Sequence, residues 1–292
     1  MTCVAVVAHR GKQLGGGLTE LREQLIAEGI DAPLWFEVNK SRKAPALVRE
    51  ALEKGADRVI VWGGDGMVQR SVDVLAGTGT AIGIIPAGTA NLFATNLGIP
   101  RDLSEALQIA LHGTARRLDV GVINGERFAV MAGSGFDATM IKDADGGLKD
   151  RVGRAAYVWT GAKAAGNSPQ RARVRVDGDT WFKGEASCVL VGNVGEVGSG
   201  VHAFDDARPD DGLLDVGVVT ANGRLQWGRV IAAMLAGRAS HSKFVRATRG
   251  RAIDVRLDHK APYELDGGAR KGAKRLRVHV EPLAITVCVP PS

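Results

Sequence analysis

Two glycine-rich turns carry the residue types that could bind a phosphate. Residues 58–62 form an apolar run typical of a buried parallel strand, and Gly63-Gly64-Asp65-Gly66 follows it. Apolar residues then recur at helical spacing over residues 67–75. A strand, a glycine turn and a helix in this order direct backbone N–H groups and the positive end of a helix dipole toward one spot, which suits a phosphate. We do not expect Asp65 to bind the phosphate directly. It is better placed to hold Mg²⁺, or to orient a proton acceptor, beside that phosphate.

A second turn of similar composition follows the next strand. Residues 81–85 form another apolar run, and Pro86-Ala-Gly-Thr-Ala-Asn91 comes directly after it, before a helix that begins near Leu92. A single Gly-Gly-Asp-Gly turn is as typical of an ordinary strand-to-helix turn as of a binding site. Two such turns on successive strands would share the carboxyl edge of one parallel sheet, where open α/β folds bind ligands. The pair therefore favours a nucleotide site.

The elements around these turns indicate two domains. Over residues 1–118, strand-like runs alternate with amphipathic helical stretches, which predicts a doubly wound parallel α/β sheet. From residue 119 to 292, β-type runs dominate, beginning with a hairpin around Asn124-Gly125. Helical stretches are predicted at residues 148–165 and 221–235. We therefore predict an α/β nucleotide-binding domain followed by a mainly antiparallel β domain.

The composition is that of a soluble globular protein. Hydrophobic residues make up 45% of the 292 residues and charged residues 24%, and no apolar run approaches the ~20 residues that span a bilayer. No basic leader precedes the first strand. Cys3, Cys188 and Cys288 lie in apolar runs without metal-ligand spacing. We expect buried, reduced cysteines in a cytoplasmic protein.

The charge balance favours anionic partners. The formal net charge is +6, which suits nucleotides, nucleic acid or anionic lipid headgroups. Aromatic residues are only 5%, and no stacking platform interleaved with Arg or Lys is visible, so we expect no nucleic-acid partner. A basic cluster near the end of the chain fits either a solvated β surface or a face for anionic lipid. Its members are Arg246, Arg249, Arg251, Arg256, Lys260, Arg270, Lys271, Lys274, Arg275 and Arg277.

The order and spacing of several motifs resemble the diacylglycerol kinase catalytic family, in its soluble bacterial lipid-kinase branch. The likeness spans essentially the whole chain. It implies an α/β nucleotide-binding domain followed by an antiparallel β-sandwich, with a last strand near residues 285–292 that returns to the first domain. Besides the two glycine turns, the motifs are Leu97-Gly-Ile-Pro100, Leu118-Asp-Val-Gly121, Gly133-Ser-Gly-Phe-Asp137, Gly153-Arg-Ala-Ala-Tyr157, Arg208-Pro-Asp-Asp-Gly-Leu-Leu-Asp215 and Leu265-Asp-Gly267.

The resemblance also implies an activity. Relatives use ATP and Mg²⁺ to transfer the γ-phosphate to a lipid hydroxyl, so the expected acceptor is diacylglycerol or a related lipid at a membrane surface. The expected location is cytoplasmic and peripheral at the inner membrane face. The sequence leaves open whether the protein forms a homodimer. By position, the residues that would line the ATP phosphates are Gly63, Gly64, Asp65, Gly66 and Met67, with Gly88, Thr89 and Asn91 of the second turn.

A structural Mg²⁺ site in relatives maps onto one loop of this chain. The resemblance assigns as its ligands the Asp211 carboxylate and the main-chain carbonyls of Arg208 and Leu213. Ligation by oxygen atoms alone suits a hard cation. Taken without the resemblance, Asp210-Asp211-Gly212 is typical of a tight turn before a strand.

The chain departs from the family pattern where the catalytic glutamate is expected. The family's last motif is Asp-Gly-Glu, whereas this chain has Asp266-Gly267-Gly268. We predict that Asp266 is the substitute base, on the same strand face as Glu264 and with Asp119 in its network, and that Asp65 is catalytic. Met67, Arg70 and Leu92 also replace residue types that are usual in the family.

Two alternatives to a lipid kinase stay open. The first is a kinase for a soluble acceptor such as NAD, although the motif at residues 208–215 fits the lipid branch better. The second is a catalytically silent regulator that binds a nucleotide or a lipid, which Gly268, Met67 and Arg70 suggest. ATP binding without turnover would distinguish the silent regulator.

Overall fold

The computed structural model describes residues 3–135, 169–198 and 201–291, which divide into two compact units. The first unit comprises Met1–Leu118 and Leu283–Ser292, and the second comprises Asp119–Pro282. Among the described residues, no helix is long and apolar enough to cross a membrane.

The first unit is built on a parallel sheet. Its strands are β1 (Val4–His9), β2 (Leu34–Val38), β3 (Arg58–Gly63) and β4 (Ala81–Pro86). They pair in the order β4-β3-β1-β2, and each pair is parallel. Connecting them or following them are helices α1 (Gly17–Ala27), α2 (Ala44–Glu53), α3 (Asp65–Leu75), α4 (Leu92–Asn96) and α5 (Leu103–His112).

The apolar runs explain why these strands are central. Ala5, Val6 and Val7 of β1, and Ile60 and Val61 of β3, are completely buried, as expected for strands that are covered on both faces. Burial on both faces leaves only the strand ends accessible. The loops at the carboxyl edge are therefore where this unit can present chemistry.

The second unit is mainly antiparallel. Its strands are β5 (Thr114–Ile123), β6 (Glu126–Phe128), β7 (Met131–Ser134), β8 (Gln170–Val176), β9 (Asp179–Ala186), β10 (Cys188–Gly192), β11 (Leu214–Val219), β12 (Val245–Gly250), β13 (Ala252–Leu265) and β14 (Gly268–Val289). The first residues of β5, up to Leu118, belong to the first unit. The strands pair in the order β12-β11-β10-β7-β13-β14, and β8 pairs with β13 and β9. Helix α6 (Arg224–Leu235) follows β11.

Several strand boundaries differ from the prediction. The sequence predicts separate strands at residues 252–257 and 263–265, which belong to one strand, β13, and a single strand at residues 181–191, which divides into β9 and β10. Strand β12 was not predicted. Charged residues facing solvent interrupt the apolar pattern along β12, β13 and β14, which hides continuous strands from a search for apolar runs. The helix predicted at residues 148–165 lies outside the described residues.

The last strand contributes to both units. Strand β14 belongs to the second unit up to Pro282 and to the first from Leu283 onward. Thr286 pairs with Ala81 and Val287 with Ile82, so this end of β14 runs parallel to β4. Leu283, with φ of +50°, accepts hydrogen bonds at its carbonyl from Arg117 Nε at 3.2 Å and Nη2 at 2.8 Å. The end of the chain thereby extends the parallel sheet of the first unit.

The expected burial of the cysteines is only partly correct. Cys188 and Cys288 are buried free thiols, whereas Cys3 is half-buried. Cys3 lies just before β1, where its backbone N–H donates to the Asp57 carboxylate at 2.9 Å. Its place at the end of the strand explains why its side chain reaches solvent.

Candidate active site

The two glycine turns lie against each other at the carboxyl ends of β3 and β4. These strands pair in register from Arg58 and Ala81 to Gly63 and Pro86, so the turns leave the sheet side by side. A Cβ built on Gly88 would lie 2.3 Å from Gly64 Cα. A Cβ on Gly64 would lie 3.0 Å from Gly88 Cα. The opposing atoms belong to the backbone and cannot rotate away, so the contact requires glycine at position 88 and leaves little room for a side chain at position 64.

Asn91 holds the second turn in shape. It has a left-handed backbone conformation with φ of 50° and is buried. Its Oδ1 accepts a hydrogen bond from Gly88 N–H at 2.9 Å, and its Nδ2 donates to the carbonyls of Pro86 and Gly88 at 3.0 Å each. The Asn91 side chain therefore supports the turn rather than pointing to a ligand. Thr89 is exposed at the tip of the same turn.

The first turn presents backbone rather than side chains. Gly64 is the N-cap of helix α3 and has no side chain with which to cap it, and Gly66 is exposed in the first helical turn. Met67 is buried, and a Cβ on Gly63 would lie 2.5 Å from its Cγ. Met67 was predicted to line the phosphates, but its side chain packs inward, so only its main chain is available there.

Asp65 connects the two turns through its carboxylate. The backbone N–H groups of Leu92 and Phe93, at the start of α4, donate to it, yet burial dominates and raises the pKa of Asp65. Its Oδ1 is buried and has no hydrogen-bond partner among the described residues. An unpartnered buried carboxylate oxygen is costly unless it binds a proton or a cation. This atom fits the predicted role of Asp65, which is to hold Mg²⁺ or to orient a proton acceptor beside the phosphates.

A third loop at this edge carries His9. His9 is the last residue of β1, the strand that pairs with β3 in the parallel sheet. Its Nδ1 accepts a hydrogen bond from Gly11 N–H at 3.1 Å. The carbonyl of Lys12 in the same loop accepts a hydrogen bond from Trp62 Nε1 at 3.2 Å. Burial, and then the charge of Lys12, lower the pKa of His9. The structure places this loop beside the Gly63 turn, where a Cβ on Gly63 would lie 3.8 Å from His9 Cβ.

Asp266, the predicted substitute base, has a structural role in the second unit. It lies just beyond β13, with φ of +44°, and is 5% exposed. Its carboxylate accepts hydrogen bonds from the N–H groups of Ala129, Val130 and Met131 at 2.7, 2.9 and 3.0 Å. Its left-handed turn conformation differs from the strand position that was expected beside Glu264. Three amide donors satisfy the carboxylate, which disfavours it as a proton acceptor.

Asp119 supports the loop that was predicted to hold metal. It is fully buried, its N–H donates to the Pro209 carbonyl at 2.6 Å, and its Oδ2 accepts from Gly212 N–H at 2.7 Å. Asn193 Nδ2 donates to the main-chain carbonyls of Asp119 and Ala129 at 2.9 and 3.0 Å, and the N–H of Ala129 donates to Asp266. The sequence singled out Asn193 only within residues 192–196, the stretch nearest to the Asn-Glu pair of NAD kinases, and did not predict this supporting role.

The loop at residues 208–213 does not favour a divalent cation. Asp211 Oδ1 accepts a hydrogen bond from Leu213 N–H at 3.0 Å, and its Oδ2 pairs with Arg249 Nη2. Arg249 Nε also lies 3.3 Å from Asp215 Oδ1. Burial raises the pKa of Asp215 to about 6, although Arg249 opposes the shift. A Mg²⁺ ion at this loop would have to compete with Arg249 for the Asp211 carboxylate. The predicted metal ligands Asp211, Arg208 and Leu213 therefore stay a prediction.

A guanidinium group lies beside the position of the missing glutamate. A Cβ on Gly268 would lie 2.9 Å from Arg270 Nη1, which donates to the Gly268 carbonyl at 3.1 Å. Arg270 Nε bonds to Glu126 Oε2 at 2.8 Å. Hydrogen bonding to Glu126 raises the pKa of Arg270. Among the described residues, no group of three or more His, Cys, Asp or Glu side chains converges on a metal position.

Comparisons with known proteins cover almost the whole chain. Residues 8–123 match the diacylglycerol kinase catalytic domain, and residues 130–289 match the YegS C-terminal NAD kinase beta sandwich-like domain. A Pseudomonas aeruginosa (strain UCBPP-PA14) protein named "Probable lipid kinase YegS-like" is 35% identical over 98% of this chain and 94% of its own length. The "Diacylglycerol kinase" of Bacillus subtilis (strain 168) is 30% identical over 77% of this chain and 75% of its own.

Solved structures share the fold. A diacylglycerol kinase from Bacillus anthracis str. Sterne has a TM-score of 0.75 at 19% identity, covering 98% of this chain and 96% of that one. An NAD kinase from Archaeoglobus fulgidus in complex with ATP has a TM-score of 0.54 at 14% identity, covering 98% and 93%. The fold is that of diacylglycerol kinases and NAD kinases, as predicted. The chain belongs to the diacylglycerol kinase catalytic-domain family, with the YegS-type β-sandwich as its second domain.

Proposed function

We propose that this protein is an ATP- and Mg²⁺-dependent kinase that transfers the γ-phosphate of ATP to a lipid hydroxyl, that of diacylglycerol or a related lipid. The observation that supports this most is the contact between the two glycine turns at Gly64 and Gly88, with Gly66 and Thr89 exposed beside it. Two of the relatives are named as a probable lipid kinase and a diacylglycerol kinase. The proposed location is cytoplasmic and peripheral at the inner membrane face.

The backbone of the first turn is proposed to bind the ATP phosphates. Helix α3 has eleven residues and starts at Asp65, so its positive end faces the space next to the turn. Gly64 and Gly66 allow a phosphate to approach the main chain without interference from a Cβ. The exposed Thr89 hydroxyl on the second turn can donate a further hydrogen bond.

Mg²⁺ bound with ATP would neutralise phosphate charge, and Asp65 is the residue that fits it. The unpartnered Oδ1 of Asp65 is the available carboxylate oxygen of the turn. The amides of Leu92 and Phe93 fix the orientation of this carboxylate. The Asp65 carboxylate would therefore hold Mg²⁺ beside the phosphates without a change in its side-chain conformation.

The missing glutamate is proposed to slow the reaction rather than abolish it. Phosphoryl transfer depends mainly on positioning and on stabilisation of charge, and a general base contributes less. Asp266 has its carboxylate satisfied by three amides, and Gly268 offers no side chain. Deprotonation of the acceptor hydroxyl would then fall to solvent.

One incubation tests the proposal. The purified chain is mixed with γ-labelled ATP, Mg²⁺ and vesicles of diacylglycerol with anionic phospholipid, and label in the extracted lipid is the expected result. A parallel reaction contains NAD without vesicles. Labelled NAD with unlabelled lipid would favour a soluble acceptor. ATP binding without transfer to either acceptor would favour a silent regulator, which the guanidinium of Arg270 beside Gly268 supports.

A further inference from the structure

Four cationic side chains form one row across four strands of the second unit. Lys183 of β9 pairs with Arg173 of β8, Arg173 with Arg256 of β13, and Arg256 with Arg275 of β14. Directly opposite residues on adjacent strands point to the same face of a sheet. Like charges in such positions repel each other, so the row is not explained by the stability of the sheet.

Further cations extend this row along the strands. In β8, Arg171, Arg173 and Arg175 are exposed, and they alternate with Ala172 and Val174 of the core. Arg277 of β14 lies two positions beyond Arg275 and is exposed. We call the whole set the basic face. Its members are Arg171, Arg173, Arg175, Lys183, Arg256, Arg275 and Arg277.

Nearby carboxylates compensate only part of this charge. Asp254 bonds to Arg275 through two contacts of 2.7 Å and lies 3.6 Å from Arg256 Nε. Glu185 pairs across the strands with Arg171, and Asp258 follows Arg256 by two positions. Seven cations thus face three carboxylates, and four positive charges are left over.

The middle of the basic face is a depression rather than a ridge. It has a volume of about 540 Å³ and lies between strands β8, β9 and β13. Its charged lining comprises Arg171, Arg173, Lys183, Glu185, Arg256 and Asp258. Several guanidinium groups and an ammonium group around one depression suit a phosphate-bearing headgroup, because such groups donate multiple hydrogen bonds to phosphate oxygens.

We propose that the basic face docks the protein onto anionic phospholipid bilayers. This inference rests on the proposed function, since an acceptor lipid resides in a membrane. A negatively charged membrane surface attracts clustered Lys and Arg, and a sheet face presents many of them to a flat surface at once. No exposed aromatic side chain lies on the face among the described residues, whereas single-stranded nucleic acid would need a stacking platform.

The sequence located only part of this surface. Arg256, Arg275 and Arg277 belonged to the predicted basic cluster, but Arg249 and Arg270 of that cluster form ion pairs elsewhere. Arg171, Arg173, Arg175 and Lys183 are far away in sequence and join the face only through strand pairing. The strand register therefore defines this surface.

The test compares two triple variants in vesicle co-sedimentation. One carries Arg173→Glu, Lys183→Glu and Arg256→Glu, and the control carries Arg229→Glu, Arg238→Glu and Arg246→Glu, three exposed cations outside the face. Vesicles contain phosphatidylcholine with or without phosphatidylglycerol. We expect the unmodified protein to bind the anionic vesicles in a salt-sensitive manner, and the first variant to bind about tenfold or more weakly than the control.

Two further measurements separate docking from catalysis and from folding. Both variants should retain the unmodified protein's thermal unfolding temperature and its transfer to a short-chain diacylglycerol dispersed without vesicles. Equal vesicle binding by the two variants, or binding of a labelled oligonucleotide in place of vesicles, would overturn the docking inference. Vesicle binding by an unmodified protein that transfers no phosphate would contradict the proposed function alone.

Discussion

The Cα of Gly64 lies 2.3 Å from the position that a Cβ on Gly88 would occupy. The two turns come from different strands, β3 and β4, that pair in parallel up to Gly63 and Pro86. Their backbones therefore fix each other's conformation. Substitution of either glycine should therefore change the conformation of both turns, and with it the proposed phosphate site.

We expect Gly88→Ala to damage both stability and ATP binding. The new Cβ would meet Gly64 Cα and, at 2.5 Å, Asn91 Oδ1, so the turns must separate. Overpacking of this kind costs about 1–3 kcal/mol. Urea denaturation and an ATP titration measure the two effects. Gly228→Ala is the control, because a Cβ there meets nothing within 4 Å. An alanine at 88 with unchanged ATP affinity would show that the contact is not needed.

Asp65→Asn should lower phosphate transfer while the fold is kept. The asparagine keeps a carbonyl oxygen for the amides of Leu92 and Phe93 but loses the charge that would hold Mg²⁺. Burial disfavours the charged form of Asp65 and raises its pKa, so the uncharged asparagine should leave the fold at least as stable. We expect kcat to fall about 100-fold or more. The exposed Asp31→Asn is the control. Full activity in Asp65→Asn would contradict the assignment.

Asp266→Asn should be mainly a stability variant. Its carboxylate accepts three amide hydrogen bonds, and an asparagine side chain would direct its own N–H₂ at one of those amides. The expected loss is about 2–4 kcal/mol in the free energy of unfolding. Chemical denaturation measures it, with the exposed Asp179→Asn as reference. Unchanged stability with a large drop in kcat would instead support Asp266 as the base.

Gly268→Glu should accelerate transfer. It introduces a carboxylate where the family has one, and the nearest obstacle, Arg270 Nη1 at 2.9 Å, belongs to a flexible side chain that can move. A positioned base raises the rate about tenfold or more when deprotonation limits it. Steady-state kcat for Gly268→Glu and Gly268→Gln decides the matter. A glutamine as fast as the glutamate would mean that the base is not limiting.

The lowered pKa of His9 predicts a loss of stability at acid pH. Burial disfavours the charged imidazolium in the folded state, so the unfolded chain, with the ordinary value of 6.5, binds more protons. The free energy of unfolding should therefore fall as the pH drops below about 6.5 toward the folded value. His9→Asn keeps an acceptor for Gly11 N–H and should lack this contribution. An NMR titration giving His9 a pKa above 6.5 would refute the prediction.

Much of the first unit could be predicted from the sequence. Strands such as β3 and β4 are short, apolar on both faces and directly followed by glycine turns, so their pattern is local and unambiguous. Because Asp65 and Thr89 directly follow two successive parallel strands, both are predicted to lie at the carboxyl edge of the sheet. The contact between Gly64 and Gly88 could not be predicted, because it depends on the register of two strands.

The second unit was harder to predict because its key contacts join distant residues. Nothing local indicates that Arg249 pairs with Asp211, or that Asp266 accepts three amides from residues 129–131. Alternation of side chains along a strand predicted that Asp266 lies on the same face as Glu264. Its left-handed backbone conformation places it in a turn instead. Ion pairs and turn conformations of this kind are fixed by tertiary structure.

The return of β14 has a consequence for the order in which the chain folds. Ala81 and Thr286 are paired although about 200 positions of sequence separate them. During synthesis, the edge of β4 stays unpaired on that side until Thr286 and Val287 have left the ribosome. Contacts this remote form slowly, since a long loop must close first. The nascent first unit therefore exposes an unprotected strand edge throughout translation of the second, which is when it is most open to aggregation or to chaperone binding.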